Sequence, residues 1–229
     1  MAKYLQQVEI SPSTHYGHSN EQKLTAETRC ILFALNINFK RNVYSKFGKV
    51  VIHLWPKEFL TKKIHPIPVY EYDSMSNVAI VNVGFSIEKY VSCKKISDRN
   101  MVIYKILKKV FADLPAEFGL DGCIVNTHLE DIRKLDFIYT KISSRKTWSR
   151  SKKISARLKY VFDSLGKHLY VLIGTKGDLT EREILFRDYS TYEYNNIINV
   201  PAKLVFINDQ SLKFQPKDNF YETVIIDLT

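Results

Sequence analysis

The chain of 229 residues is 45% apolar and 13% aromatic and carries a net charge of +10, from 34 basic and 24 acidic side chains. It can bury a sizeable core as one large domain or two small ones. Its scarce Gly (8) and Pro (7), with no low-complexity tract or fixed-period repeat, argue against extended disorder or a repeat array. The first residues lack the apolar run of a secretory signal, and no window approaches the ~20 apolar residues of a membrane helix, so a cytoplasmic protein with no membrane partner is expected.

In chain order, Tyr4 to Ile10 predicts a first strand, ended by Ser11-Pro12-Ser13 because proline cannot continue a ladder. Glu21 to Phe47 fits two periods. Alternation from Arg29 to Lys40 suits a strand, while Leu24, Thr28, Leu35, Phe39, Val43 and Phe47 follow helical spacing. Helix is preferred, with Lys40, Arg41 and Lys46 near its C-terminal end and Gly48 just past it. Lys49 to Trp55 predicts a central strand buried on both faces and closed by Pro56, and Val78 to Phe85 another strand, with a long connection between them.

The clearest helix runs from Ser97 toward Gly119. Val102, Ile103, Ile106, Leu107, Val110, Phe111 and Leu114 form its apolar face, with Arg99, Lys105, Lys108, Lys109 and Asp113 on the other side. Ser97 or Asp98 is the expected cap, and Pro115 the expected kink or break. Asp121 to Leu135 predicts a shorter helix, with Glu130 and Asp131 on its solvent side.

From Phe137 the period becomes two. Ile154, Ala156, Leu158, Tyr160 and Phe162 alternate with more polar positions, and further strands are expected at His168 to Ile173, Arg182 to Asp188, Lys203 to Ile207 and Tyr221 to Leu228, as one sequential antiparallel sheet. The fold class is α+β: amphipathic helices on a mixed or antiparallel sheet, then a β-rich C-terminal half. A single domain over 1–229 is favoured, with subdivision into 1–135 and 136–229 as the alternative.

No catalytic motif is present. Gly174 to Asp178 lacks the spacing of a phosphate-binding loop and predicts a hairpin turn. His15 and His18 have no third ligand at a suitable distance, so neither metal nor cofactor is expected. Cys30, Cys93 and Cys123 are far apart, and buried reduced thiols are expected rather than disulfides.

One segment carries the charge. Lys141, Arg145, Lys146, Arg150, Lys152, Lys153, Arg157 and Lys159 lie between Phe137 and Phe162 with no acidic residue among them, and outside this stretch 26 basic residues face 24 acidic ones. With Trp148 in their midst, Arg145, Lys146, Arg150, Lys152, Lys153, Arg157 and Lys159 are candidate contacts to an acidic protein, to single-stranded nucleic acid, or to solvent alone.

The helix ending at Gly48 before Lys49-Val-Val-Ile-His-Leu-Trp55, the helix with Tyr104-Lys-Ile-Leu-Lys-Lys-Val-Phe111, the stretches Glu117 to Asp121 and Ser149 to Leu158, and the C-terminal β run resemble small α+β immunity proteins of bacterial polymorphic-toxin systems. The resemblance implies a stoichiometric inhibitor that covers a cognate toxin domain without cofactor or turnover. The alternatives are a basic nucleic-acid-binding protein using the 141–159 segment and, third, an enzyme assembled from distant His and carboxylate groups.

Overall fold

A computed structural model describes residues 3–39, 42–60, 70–73, 76–114, 118–178, 180–190, 202–217 and 222–229. The chain is α+β and divides into two compact units, Met1–Ile138 and Tyr139–Thr229.

Unit 1 contains, in order, β1 (Lys3–Tyr4), β2 (Gln7–Pro12), α1 (His18–Phe39), β3 (Tyr44–Ser45), β4 (Lys49–Pro56), β5 (Tyr70–Asp73), β6 (Val78–Phe85), α2 (Ile87–Ser92), α3 (Ile96–Asp113) and α4 (Gly122–Lys134). Its main sheet has the order β2-β4-β6-β5, parallel except for the β5 edge, and β1 pairs with β3 separately. Residues in register share a face, so Val8, Val50 and Ala79 form one apolar row, and Ile10, Ile52 and Val81 the next. On the opposite face of β4, Lys49, Val51, His53 and Trp55 are only half-buried, so this central strand is covered fully on one side rather than on both.

Several local expectations are corrected. Pro12 is the last residue of an edge strand: Ser13 N–H makes the bond to Leu54 O (2.8 Å), and the missing proline donor falls on the outer side. The 21–47 segment is helical but ends at Phe39, and Tyr44–Ser45 is a short strand; Lys40 and Arg41 lie outside the described residues. Gly48 therefore does not terminate the helix. It precedes β4, where a Cβ would stand 2.8 Å from the side-chain amide of Asn77. Asn36, a polar residue in the last turn of α1, serves the sheet. Its amide accepts from Val8 N–H (2.6 Å) and donates to Val8 O (3.1 Å), closing the open edge of β2.

α3 presents Ile103, Leu107, Val110 and Phe111 to the core, and the ring of Phe111 meets that of Phe39 edge-on at 5.8 Å. Neither Ser97 nor Asp98 caps it; both lie inside the first turn, and Lys95 occupies the cap position without a side-chain bond. Pro115 lies outside the described residues, while Gly119 adopts φ +67, where its lack of Cβ avoids strain. Arg99, expected on the solvent side, is buried. Its guanidinium grips Glu27 of α1 through Nε (2.8 Å) and Nη2 (3.0 Å), while Nη1 donates to Cys93 O (2.6 Å). Tyr90 OH on α2 adds a bond to Glu27 (2.7 Å), and burial, then that bond, push its pKa up.

Glu130 is likewise more than a solvated carboxylate. It joins α4 to α3 by accepting from the Tyr104 hydroxyl and Lys108 Nζ (2.9 Å), with Arg133 Nε (2.8 Å) from its own helix. These bonds, Tyr104's foremost, lower its pKa to about 2.

Unit 2 contains β7 (Tyr139–Ile142), β8 (Thr147–Trp148), β9 (Ile154–Phe162), β10 (Gly166–Thr175), β11 (Glu181–Ser190), β12 (Ala202–Asn208), β13 (Ser211–Pro216) and β14 (Val224–Asp227). The expected single sheet is in fact two. One has the order β11-β10-β9-β7 with β8 also on β9, the other β12-β13-β14, and every pairing is antiparallel. Ala156, Leu158, Leu169 and Val171 from the first sheet pack with Leu204, Leu212, Phe214 and Ile226 from the second. The alternating strands thus bury their apolar faces against each other as a sandwich.

Two measurements check these buried and bridging carboxylates. In a Trp148→Phe background, where Trp55 reports on unit 1, Glu27→Gln should lower stability by about 3–5 kcal/mol in urea unfolding, because it leaves Arg99 buried without its counter-charge; an unchanged midpoint would refute the pair's role. Glu130, whose folded pKa lies below its ordinary value of 4.5 at about 2, contributes stability at neutral pH that is lost as pH falls through that window. Glu130→Gln should therefore flatten the acid limb of stability between about pH 5 and pH 2.

Candidate binding cleft in the C-terminal unit

β9 alternates, with Ala156, Leu158 and Tyr160 in the sandwich core and Arg157 and Lys159 on the other face. Two residues of β11 meet those cations. Glu181 Oε2 accepts from Arg157 Nε at 3.1 Å, its other oxygen lies 3.4 Å from Lys146 Nζ, and Lys159 Nζ is 2.6 Å from Glu183. β10 lies between β9 and β11, and Gly174 stands in register with both Ser155 and Glu181. A Cβ on Gly174 would sit 3.1 Å from Ser155 Oγ and 3.5 Å from Glu181 Cγ, so the bare backbone leaves room for Glu181 to reach across. The Arg157 bond holds the Glu181 carboxyl below its ordinary pKa. Lys159 also lies over the Tyr170 ring, 5.4 Å from its centre.

The structure thus separates the sequence-predicted contacts. Lys146, Arg157 and Lys159 are held by carboxylates of the same unit. Arg145, Arg150, Lys152 and Lys153 are exposed and form no ion pair among the described residues. Of these, Arg145 and Arg150 line a cleft of about 380 Å³ together with Trp148, Leu158 and the β12 residues Lys203, Val205 and Phe206. Lys152 and Lys153 stand on the turn beyond it. Lys152 adopts φ +56 and donates its N–H to Ser149 O (2.9 Å), and Ser149 N–H bonds Ile154 O (2.9 Å). This tight loop fixes Trp148 and Arg150 on either side of Ser149, and Trp148 remains 48% exposed.

Lys203 and Val205 are cleft residues that sequence reasoning missed. The alternation in β12, with Leu204 buried between exposed Lys203 and Val205, marks their face, but only the second sheet's packing brings them beside Arg145 and Trp148. Among the described lining residues there is no carboxylate and the charged groups are two guanidiniums and an ammonium. Such a set offers an anion hydrogen-bond donors and positive charge.

The other candidates resolve simply. Gly174 to Asp178 is the β10–β11 hairpin, with Gly177 at φ +90. His15 shares a hydrogen bond with Ser13 and packs on Phe59 (4.4 Å), and His18 bonds Gln22 (2.8 Å); no cluster of three or more metal-ligating side chains occurs among the described residues. None of the three cysteines forms a disulfide, but only Cys30 is buried; Cys93 is half-buried and Cys123 exposed, which corrects the expectation of buried thiols throughout. No helix among the described residues is long and apolar enough to cross a membrane. No protein-family model, curated protein or solved structure matches the chain.

Proposed function

We propose that the chain is a non-enzymatic inhibitor of the immunity-protein kind, which seats an acidic, partly apolar segment of a partner protein in the cleft of unit 2. One observation carries this: Arg145, Arg150 and Lys203 line a partly apolar pocket with no carboxylate in its described lining, whereas neighbouring cations are neutralised internally. Cations that form no ion pair among the described residues, set around Val205, Phe206 and Leu158, complement a segment that brings a carboxylate and an apolar side chain together, and Arg and Trp are the side chains that most often dominate such contacts. A cognate toxin domain is the partner implied by the resemblance.

The half-exposed Trp148 between two arginines favours a second function, binding of single-stranded nucleic acid by base stacking and phosphate contacts.

The test uses partner recovered with tagged protein from nuclease-treated source lysate, then purified, and an oligo-dT strand in parallel. Arg145→Glu/Arg150→Glu/Lys203→Glu should weaken partner binding at least tenfold, while Arg157→Glu/Lys159→Glu, on the internally paired face, should change it much less. Undiminished binding by the folded triple variant would refute the cleft. Affinity that survives higher salt supports a packed protein interface; a steep log-linear loss, with oligo-dT bound, moves the function to nucleic acid.

A further inference from the structure

Unit 1 holds a groove of about 680 Å³ between β6 and α3. Its apolar walls are Val81 and Val83 on the strand and Val102, Ile106 and Val110 on the helix. Ile106, Val102 and Val83 are only half-buried, so apolar side chains that a closed core would cover border open space. The helix wall runs from Val102 to Asp113, about three turns or ~16 Å.

Charge rims both sides. Lys57 and Lys89 stand by the strand wall and Lys105 by the helix wall; all three are exposed and form no ion pair among the described residues. Asp113, the one carboxylate in the described lining, is held by Lys109 at 2.6 Å. The stem of Lys57 lies over Gly84: a Cβ there would stand 3.3 Å from Lys57 Cγ and 3.4 Å from Leu60 Cδ1. The lysine thus extends the apolar surface with its methylenes and carries its ammonium at the rim.

The geometry points to this groove as a site for a single-chain anionic amphiphile, a free fatty-acid-like carboxylate, whose tail lies between α3 and β6 and whose head meets the lysines. Its volume lies within the range of small-molecule sites. A hydrocarbon tail suits these walls better than a peptide, because a peptide brings backbone polar groups that need partners. The nearby polar side chains are engaged: Asn82 Oδ1 accepts from Trp55 Nε1 (3.0 Å), and the Ser86 hydroxyl donates to Glu88 (2.9 Å) while accepting from Lys89 N–H.

The experiment titrates full-length protein with an NBD-labelled twelve-carbon carboxylate below its micellar concentration, and with the matching alcohol. Saturable binding is expected, at least tenfold weaker for the alcohol. Lys57→Glu/Lys89→Glu/Lys105→Glu, which alters only exposed side chains, should weaken acid binding at least tenfold, and Ile106→Trp should fill the groove and do the same, with folding checked by circular dichroism. Non-saturable uptake, equal affinity for acid and alcohol, or undiminished binding by the folded triple-lysine variant would each overturn the assignment. So would an acidic amphipathic twelve-residue peptide that displaces the probe more tightly than unlabelled dodecanoate does.

Discussion

Unit 1 depends on burying one charge against another. Glu27 and Arg99 are almost wholly removed from water, and each would be costly there alone. The two-pronged contact, the Tyr90 hydroxyl and the Cys93 carbonyl together occupy the polar atoms that desolvation would otherwise strand. Because these groups come from α1, α2, the turn after α2 and α3, satisfying them sets how three helices lie together. Apolar contact alone is non-directional and would tolerate sliding; a buried bidentate pair does not. With α3 so held, its Ile103, Leu107 and Phe111 enter the core, while Val102 and Ile106 border the groove beside β6.

In unit 2 the organising constraint is alternation along antiparallel strands. It sends one set of side chains into the sandwich and sorts the cations by the face they reach. Arg157 and Lys159 fall where β11 supplies Glu181 and Glu183, and Gly174 removes the side chain that would keep them apart. Arg145 and Arg150 flank the short β8 pairing and reach the cleft formed with β12. A run of like charge thus divides into a neutralised face, a cationic cleft and the exposed turn of Lys152 and Lys153.

Helices and strands with strong periodicity were legible. β6 spans the expected Val78 to Phe85, and α4 begins after Asp121, whose carboxylate caps it by accepting from Cys123 and Ile124 N–H groups. The 21–47 segment shows the limit. Its helical spacing was real, but residues past Phe39 that fit the same spacing, Val43 and Phe47, are buried outside the helix. Hydrophobic spacing records burial, and burial has more than one geometry. Asn36 is a poor helix former placed in α1 where its amide completes the edge of another element.

By itself the sequence determined the α+β class, most of the longer strands though not β13 in the middle of the second sheet, α3 with its apolar face, and the concentration of positive charge between Phe137 and Phe162, because these follow from local periodicity and composition. Only the tertiary structure decided that Arg99 is a core residue, that Glu130 joins two helices, that the late strands form two sheets, and that Lys203 stands with Arg145 and Arg150. Each of those facts is a pairing of residues far apart in the chain. A charged side chain looks the same in a sequence whether solvent or a distant counter-charge will meet it; the fold selects the partner, and the partner decides whether that charge supports the core or remains available to bind.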